Sequence, residues 1–239
     1  MTAGATGLKW LQMPSARVEL RAVSKTYRNG GEPVEVLHGI SFDAAPGTVT
    51  ALLGRSGCGK TTILNLAGAM DFPTAGEVLI DGRSTTSLSD SELTALRRIR
   101  VGFVFQFFQL LPTLTVLENV ELPLLLAGSS KSAEAARDRL EWVGLAGKVA
   151  SMPYQLSGGQ AQRVAIARAL VHSPDVLIAD EPTGNLDTAS GDQVLALIRE
   201  SAFRFGATVL MATHSVEAAA IADVRIQLRD GRVQSAERA

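Results

Sequence analysis

Cysteine, tryptophan and tyrosine are scarce in this sequence: the 239-residue chain has one cysteine, two tryptophans and two tyrosines. A single cysteine excludes a disulfide within the chain and is typical of a reducing compartment, which predicts a cytosolic location. Charge of one sign is also lacking, because 23 basic and 24 acidic residues leave a formal net charge of −1. A near-neutral chain lacks the positive field of most nucleic-acid-binding proteins, so no nucleic acid is expected as a partner.

Long apolar segments are missing too. The longest apolar run, LPLLLA from Leu122 to Ala127, is far too short to span a bilayer, and the first residues lack the apolar core of a secretion signal. Residues 1–16 are small, polar and aperiodic, which predicts a disordered extension before an ordered chain from about Arg17. Any membrane role is therefore expected to come through a partner.

Alternating and apolar segments predict an α/β fold. Short β segments dominate the first part of the chain, a helix is predicted to follow the N-cap residue Ser89, and further helices are predicted from Thr115 to Val143. The runs DVLIAD and ATVLMAT flank a predicted helix over residues 188–203. Apolar runs of this length are typical of parallel strands covered on both faces, so a doubly wound core is expected.

A glycine-rich loop follows a predicted strand in TVTALLGRSGCGKTT and has the GxxxxGK[ST] spacing of a phosphate-binding loop. Glycines allow backbone N–H groups to surround phosphates, Lys60 can reach the β and γ phosphates, and the Thr61 hydroxyl can ligate Mg²⁺. The alternative is a glycine-rich turn that fits the spacing by chance. The residues predicted to contact nucleotide are Gly54, Arg55, Ser56, Gly57, Cys58, Gly59, Lys60, Thr61 and Thr62.

Two carboxylates end the apolar run DVLIADEP. Asp180 lies where open α/β sheets collect ligands, and is predicted to hold the metal ion. Glu181 follows it, and a carboxylate just past a metal ligand can polarise an attacking water, which indicates hydrolysis rather than binding alone. Two acids at a strand end are otherwise a solvated turn, but the upstream phosphate loop favours the functional interpretation.

A second glycine-rich turn, made of Ser157, Gly158, Gly159 and Gln160, opens the helical run QAQRVAIARALV. Ser-x-x-Gln matches a capping box, so a purely structural role is open. A capping box does not require two glycines, however, and glycines there indicate close approach of another group to the backbone, for which a phosphate is the obvious candidate.

Together, the segments GRSGCGKT, VFQ, LSGGQ, LIADEP and NLD resemble the nucleotide-binding subunit of an ATP-binding cassette (ABC) protein, over nearly all of residues 17–233. The resemblance implies an α/β fold with a P-loop core and a mainly parallel sheet, an N-terminal antiparallel β subdomain, and an inserted helical subdomain over about residues 107–165. Residues 234–239 are expected to form a polar tail.

The resemblance also implies an ATPase that uses ATP and Mg²⁺ and works as a head-to-tail homodimer. The signature LSGGQ of one chain would close over ATP held by the phosphate loop of the other, so the two glycine-rich turns would serve two nucleotides. Implied roles are adenine stacking for Tyr27, metal and water contact for Gln106, a dimer-seam position for Asp187 and γ-phosphate contact for His214. As alternatives, Tyr27 is a surface aromatic and His214 a strand-end histidine.

The segments PTGNLD and FVFQFFQLLPTLTVLENVELPLL resemble, more narrowly, ATPase subunits of lipoprotein-releasing and macrolide-exporting systems and of a related cell-division complex. This implies a peripheral location on the cytoplasmic face of the membrane, beside a subunit with few transmembrane helices and a large external domain. Two positions depart from the family pattern: Ala161 replaces a common glutamine after the signature, and Ser215 replaces a common aspartate after the histidine.

An apolar segment after Gln106 has two open interpretations. Its side chains either fill the core of the helical subdomain or line a groove for a short helix of the membrane subunit; they belong to Phe107, Phe108, Leu110 and Leu111. The competing function classes are a cassette-type ATPase acting on nucleic acid and a nucleotide-gated regulator of a cell-division complex. The near-neutral charge is unfavourable to the first, and Glu181 to a regulator without turnover.

Overall fold

The structure is a computed structural model that describes residues 18–28 and 30–238, so the extension predicted over residues 1–16 lies outside the described residues. Its strands are β1 (Val18–Tyr27), β2 (Val34–Ala44), β3 (Val49–Leu53), β4 (Ala75–Ile80), β5 (Arg83–Ser84), β6 (Val101–Val104), β7 (Val176–Asp180), β8 (Thr208–Thr213), β9 (Val224–Arg229) and β10 (Arg232–Arg238). Its α-helices are α1 (Lys60–Ala67), α2 (Asp90–Arg100), α3 (Val116–Leu126), α4 (Ser132–Trp142), α5 (Gly158–Leu170), α6 (Thr188–Phe205) and α7 (Val216–Ala219).

A six-stranded sheet in the order β10-β9-β3-β8-β7-β6 forms the centre of the fold. Strands β9, β3, β8, β7 and β6 are parallel, and β10 is antiparallel to β9. The apolar strands β3, β7 and β8 are buried almost throughout, as their continuous apolar runs predict. Their carboxyl ends are adjacent, because Leu53 pairs with Thr213 and Asp180 pairs with Ala212.

A second sheet, antiparallel and in the order β2-β1-β4-β5, packs over helix α1. Leu20 and Leu37 of this sheet belong to one buried cluster with Ile63 and Leu64 of α1. This packing places the antiparallel sheet directly above the loop that leads into α1, and so fixes one wall of the site described below.

The helices α3, α4 and α5 share an apolar cluster of their own, which includes Val120, Leu140 and Val164. Helix α5 also contributes Ile166 and Leu170 to the cluster on the central sheet. The prediction of helices from Thr115 to Val143 is confirmed, and α5 is the element that joins this helical layer to the sheet.

Arg100, at the end of α2, is almost fully buried between two carboxylates. Its Nη2 lies 2.5 Å from Asp81 in the turn between β4 and β5, and its Nε pairs with Asp175, which precedes β7. The ion pairs therefore connect the antiparallel sheet to the central sheet.

The carboxyl-terminal strand is longer than the sequence indicates. Residues 234–239 are predicted as a polar tail, whereas β10 continues to Arg238, which pairs with Val224 of β9. The reason lies in the two-residue turn: Asp230 and Gly231 both have positive φ, the arrangement of a tight hairpin whose twist suits long antiparallel pairing. Within the described part of the chain, no helix has the length and apolarity needed to cross a bilayer.

Candidate nucleotide site

A cavity of about 610 Å³ opens at the carboxyl edge of the central sheet. It combines the loop before α1 with the ends of β7 and β8, two regions that are far apart in the sequence. The lining residues are Val36, Ser56, Gly57, Gly59, Lys60, Thr61, Thr62, Gln106, Asp180, Glu181 and His214. Most of the residues predicted to contact phosphate, the metal ion or the attacking water therefore line one cavity.

Two glycines of the loop at residues 54–59 are required by the way it packs. Gly54 has φ 156°, and a β carbon there would lie 2.5 Å from the Leu228 carbonyl oxygen and 2.6 Å from Cys58 Sγ. Gly59 has φ 103°, and its β carbon would lie 2.6 Å from Leu37 Cδ2 of the antiparallel sheet. Any other residue would push the loop away from the walls that shape it.

Lys60 turns back into this loop. Its side chain is 8% exposed, and Nζ donates to the Gly54 carbonyl oxygen at 2.7 Å. The same nitrogen lies 3.7 Å from Glu181 Oε1. The ammonium group is thus held between the phosphate loop and the predicted general base, within reach of phosphate oxygens bound in the cavity.

The Thr61 hydroxyl donates to Asp180 Oδ2 at 2.8 Å, which links the start of α1 to the end of β7. Burial raises the pKa of Asp180, and the neighbouring Glu181 raises it further, while the bond from Thr61 and the charge of Lys60 act in the opposite direction. Because Gln106 lines the same cavity, the site offers oxygen atoms, the ligands that Mg²⁺ prefers.

The donor set fits a magnesium ion that also binds substrate phosphates. The described residues contain no cluster of three or more His, Cys, Asp or Glu able to cage a metal. Mg²⁺ at phosphate sites is bound by one or two carboxylates together with phosphates and waters, so Asp180, with the Thr61 hydroxyl beside it, would be enough to hold the ion.

Glu181 adopts a left-handed backbone conformation, with φ 46°, immediately after β7. Its backbone N–H donates to the Ala212 carbonyl oxygen at 2.9 Å, and its Oε2 accepts a bond of 3.3 Å from the backbone N–H of His214. His214 Nδ1 lies 2.9 Å from the same oxygen. A non-glycine residue in this region is strained by about 1–3 kcal/mol, a cost that clusters at functional sites.

Gln106 and Tyr27 occupy different parts of the site. Gln106 lines the cavity, and its backbone carbonyl oxygen accepts a bond of 3.2 Å from Asn185 Nδ2. Tyr27 is outside the lining; its hydroxyl donates to Asp71 at 2.9 Å, and it contacts Thr62, which does line the cavity. Tyr27 thus stands beside the cavity, and adenine stacking stays a prediction.

Lys25 and Asp71 support Tyr27 in a way that the motifs do not indicate. Lys25 Nζ donates to Asp71 at 2.6 Å and lies 4.8 Å from the centre of the Tyr27 ring. Burial and the bond to Asp71 raise the pKa of Tyr27, and the bonds from Lys25 and Tyr27 lower the pKa of Asp71 despite its partial burial. The tyrosine is therefore held by a charged network.

The second glycine-rich turn forms the capping box that its sequence allows. Ser157 accepts from the backbone N–H of Gln160 at 3.3 Å, and Gln160 Oε1 accepts from the backbone N–H of Ser157 at 3.1 Å. A β carbon on Gly159 would lie 2.5 Å from Ser190 Oγ of α6, so the close approach at this glycine is made by a helix of the same chain. Gly158 is exposed.

The two glycine-rich turns are separate within the chain. None of the described residues that line the cavity comes from residues 157–160. Asp187 is also outside the cavity lining; it caps α6 by accepting from the N–H of Ser190, the residue that lies close to Gly159, at 3.0 Å. Nucleotide contact by Ser157, Gly158, Gly159 and Gln160 therefore stays a prediction about another copy of the chain.

Both departures from the family pattern have a simple structural setting. Ser215 caps the short helix α7, because its Oγ accepts from the Ala218 N–H at 3.0 Å, which is a role that serine and aspartate share. Ala161 is buried at the start of α5. Neither position lines the cavity.

The family model described as ABC transporter matches residues 37–184. The chain belongs to this family. An uncharacterised ABC transporter ATP-binding protein of Mycobacterium tuberculosis is 49% identical over 90% of this chain and 88% of its own length. The lipoprotein-releasing system ATP-binding protein LolD of Shewanella frigidimarina is 42% identical, over 93% of this chain and 94% of its own length. The macrolide export ATP-binding/permease protein MacB of Syntrophobacter fumaroxidans is 44% identical, over 91% of this chain and 31% of its own length.

A solved structure of similar fold is the dimeric ABC transporter cassette MJ0796, with a TM-score of 0.86, 41% identity, and coverage of 92% of this chain and 98% of that one. A second structure of MJ0796 is a dimeric post-hydrolysis state bound to ADP and phosphate. The predicted α/β cassette fold and ABC-type ATPase activity are thereby confirmed, and the nucleic-acid and regulatory alternatives are not favoured.

Proposed function

We propose that this chain is the ATP-hydrolysing subunit of a membrane complex and works as a head-to-tail homodimer. The observation that carries the proposal is the separation of the two glycine-rich turns within one chain, with Ser157 and Gly158 exposed to a partner. The turn of one copy would cover the nucleotide held by the phosphate loop of the other, which gives the second turn a ligand. The dimeric structures of MJ0796 support this arrangement.

Within each composite site, the loop at residues 54–62 holds the phosphates, and Lys60 offsets their charge. Thr61 and Asp180, with Gln106, would hold Mg²⁺, which supplies electrostatic stabilisation of phosphate charge when bound. Tyr27 would support the adenine, and Asp187 would lie near the seam between the two copies. ATP binding would close the dimer, and hydrolysis would release it.

Glu181 is assigned as general base and His214 as the group that orients it and contacts the γ phosphate. The carboxylate lies in the same cavity as Lys60 and Thr61, where a water beside the γ phosphate would be within its reach. Because His214 contacts Oε2, the other oxygen, Oε1, is directed towards Lys60 and the phosphate loop. The contacts of Glu181 favour hydrolysis over simple nucleotide binding.

The membrane partner is assigned to a groove beside Gln106. A largely apolar cavity of about 490 Å³ lies between α2, β6 and α3, and is lined in part by Phe103, Phe105 and Leu122. In the adjoining segment Phe107 is 69% exposed, whereas Leu110 packs on the core of the helical layer. The groove would receive a short helix from a permease subunit that has few transmembrane helices and a large external domain. In such a complex the chain would lie on the cytoplasmic face of the membrane.

The proposal is tested by tagging the chain in its native cell, solubilising membranes in mild detergent and identifying co-purifying proteins by mass spectrometry, with and without a non-hydrolysable ATP analogue. We expect an integral membrane protein with few spans and a large external domain. Recovery of soluble or DNA-associated partners alone would overturn the membrane assignment and leave the ATPase assignment to be judged by turnover.

A further inference from the structure

Gln162 is a fully buried polar residue in helix α5, and the motifs assign it no role. Its side-chain nitrogen Nε2 donates to two backbone carbonyl oxygens, that of Pro182 at 2.7 Å and that of Phe105 at 3.2 Å. The orientation of the amide follows from its partners, since two carbonyl oxygens can be satisfied only by the NH₂ group. Helix α5 thus reaches two separate loops through one side chain.

Both loops belong to the nucleotide site. Phe105 immediately precedes Gln106, and Pro182 immediately follows Glu181, so one amide fixes the backbone next to the proposed metal and water ligand and next to the proposed general base. Gln106 and Glu181 line the same cavity. Their relative position therefore depends on a residue that contacts neither side chain directly.

Arg168, further along α5, holds the far side of the same loop. Its guanidinium donates to the carbonyl oxygens of Phe108 at 3.0 Å and Gln109 at 2.6 Å, two residues that both have positive φ. Gln106 is thus attached to α5 on both sides, and the segment 105–109 is expected to move with that helix. The signature turn forms the first residues of the same helix.

We propose that Gln162 is a positioning residue for ATP hydrolysis, which sets the relative placement of Gln106 and Glu181 and ties both to the signature helix. The inference rests on the proposed function, since it takes Glu181 as the base and residues 157–160 as the contact to a second copy. A shift of α5 on dimer closure would be passed to both loops through the two bonds of one amide.

The test is the variant Gln162→Leu, which has similar volume and lacks both donors. We expect kcat for ATP to fall at least about fivefold while KM changes less than about twofold, because misplacing catalytic groups affects the chemical step more than phosphate binding. A matched control is Asn119→Leu, which also removes a fully buried amide, one that donates to the carbonyl oxygens of Leu111 and Leu114.

Asn119→Leu should lower the melting temperature to a similar extent and leave kcat nearly unchanged. A smaller than fivefold loss of kcat in Gln162→Leu, or an equal loss in Asn119→Leu, would overturn the positioning role. If Gln162→Leu does not fold, Gln162→Asn keeps the amide on a side chain one methylene shorter, and is expected to show the same selective loss of kcat. Normal kcat in Gln162→Asn would be equally contrary to the proposal.

Glu181→Gln, measured in parallel, distinguishes failure of this inference from failure of the proposed function. If Glu181→Gln is inactive while Gln162→Leu is fully active, the general base stands and the positioning role falls. If Glu181→Gln keeps full turnover, Glu181 is not the general base, whatever the result for Gln162→Leu. In the double variant, Gln162→Leu should reduce the residual rate less than it does in the wild type, because the two residues act through one step.

Discussion

His214 contacts Glu181 twice through a single carboxylate oxygen: Nδ1 lies 2.9 Å from Oε2, and the His214 backbone N–H donates to it at 3.3 Å. Because one oxygen is occupied in this way, the other is left to face Lys60 and the phosphate loop. In the proposed mechanism, Oε2 holds the carboxylate in place and Oε1 is the oxygen that would accept a proton from water.

Replacing Glu181 with Gln should preserve ATP binding and slow turnover by at least about 100-fold, because the amide has nearly the same shape but cannot accept a proton from water. The slow step should also trap an ATP-bound dimer, detectable by size-exclusion chromatography with ATP present. Unchanged steady-state turnover would remove Glu181 from the role of general base.

Ser157→Arg should abolish hydrolysis without weakening ATP binding to the monomer, because Ser157 lies outside the cavity that holds the phosphate loop. Lys60→Ala should be inactive through loss of phosphate contact. Mixing the two inactive proteins should restore part of the activity, since a head-to-tail pair then contains one intact composite site. A mixture as inactive as its components would contradict the composite-site arrangement.

Gly159→Ala should destabilise the fold by about 1–3 kcal/mol, the usual cost of inserting a methyl group into a packed contact. The added carbon would lie 2.5 Å from Ser190 Oγ and 2.7 Å from Ser190 Cβ. The double variant Gly159→Ala/Ser190→Gly lacks both of these serine atoms. Compared with Ser190→Gly alone, it should show a much smaller loss in the free energy of unfolding than Gly159→Ala shows in the wild type. Thermal unfolding of the four proteins measures the coupling, and additive losses would show that the contact is not the cause.

Asp180 should make the stability of the chain decline with rising pH. Its pKa is raised by burial above the ordinary value of 3.8, so between that value and the raised one the folded chain keeps a proton that the unfolded chain has lost. The associated stability is present below the ordinary pKa and is lost as pH rises through the folded pKa. Asp180→Asn should be the more stable protein above that window and inactive with Mg²⁺. Melting temperatures across a pH series, without nucleotide, provide the check, and a variant no more stable than wild type there would refute it.

Features set by neighbouring residues could be predicted from the sequence. The apolar runs of β3, β7 and β8 correspond to strands, and Ser89 caps α2 by accepting from the Glu92 N–H. The phosphate loop was predictable for the same reason, since its spacing, its preceding strand and its following helix are all local.

Contacts between distant segments could not be predicted in this way. The close neighbour of Gly159 is Ser190 on another helix, and the partner of the Tyr27 hydroxyl is Asp71. Gln162 shares a helix face with the buried residues Ala165 and Ile166, but nothing nearby in the sequence indicates that its partners are Phe105 and Pro182. Such pairings depend on how the layers are stacked.

The buried ion pairs of Arg100 limit the order in which the two sheets can fold during synthesis. Asp81 and Arg100 leave the ribosome well before Asp175, the carboxylate that completes the set. A buried charge lacking part of its compensation is costly, so the antiparallel sheet cannot dock in its final position until the chain has been made through β7. The two sheets should therefore come together only after β7 has been made, rather than forming a finished amino-terminal half before it.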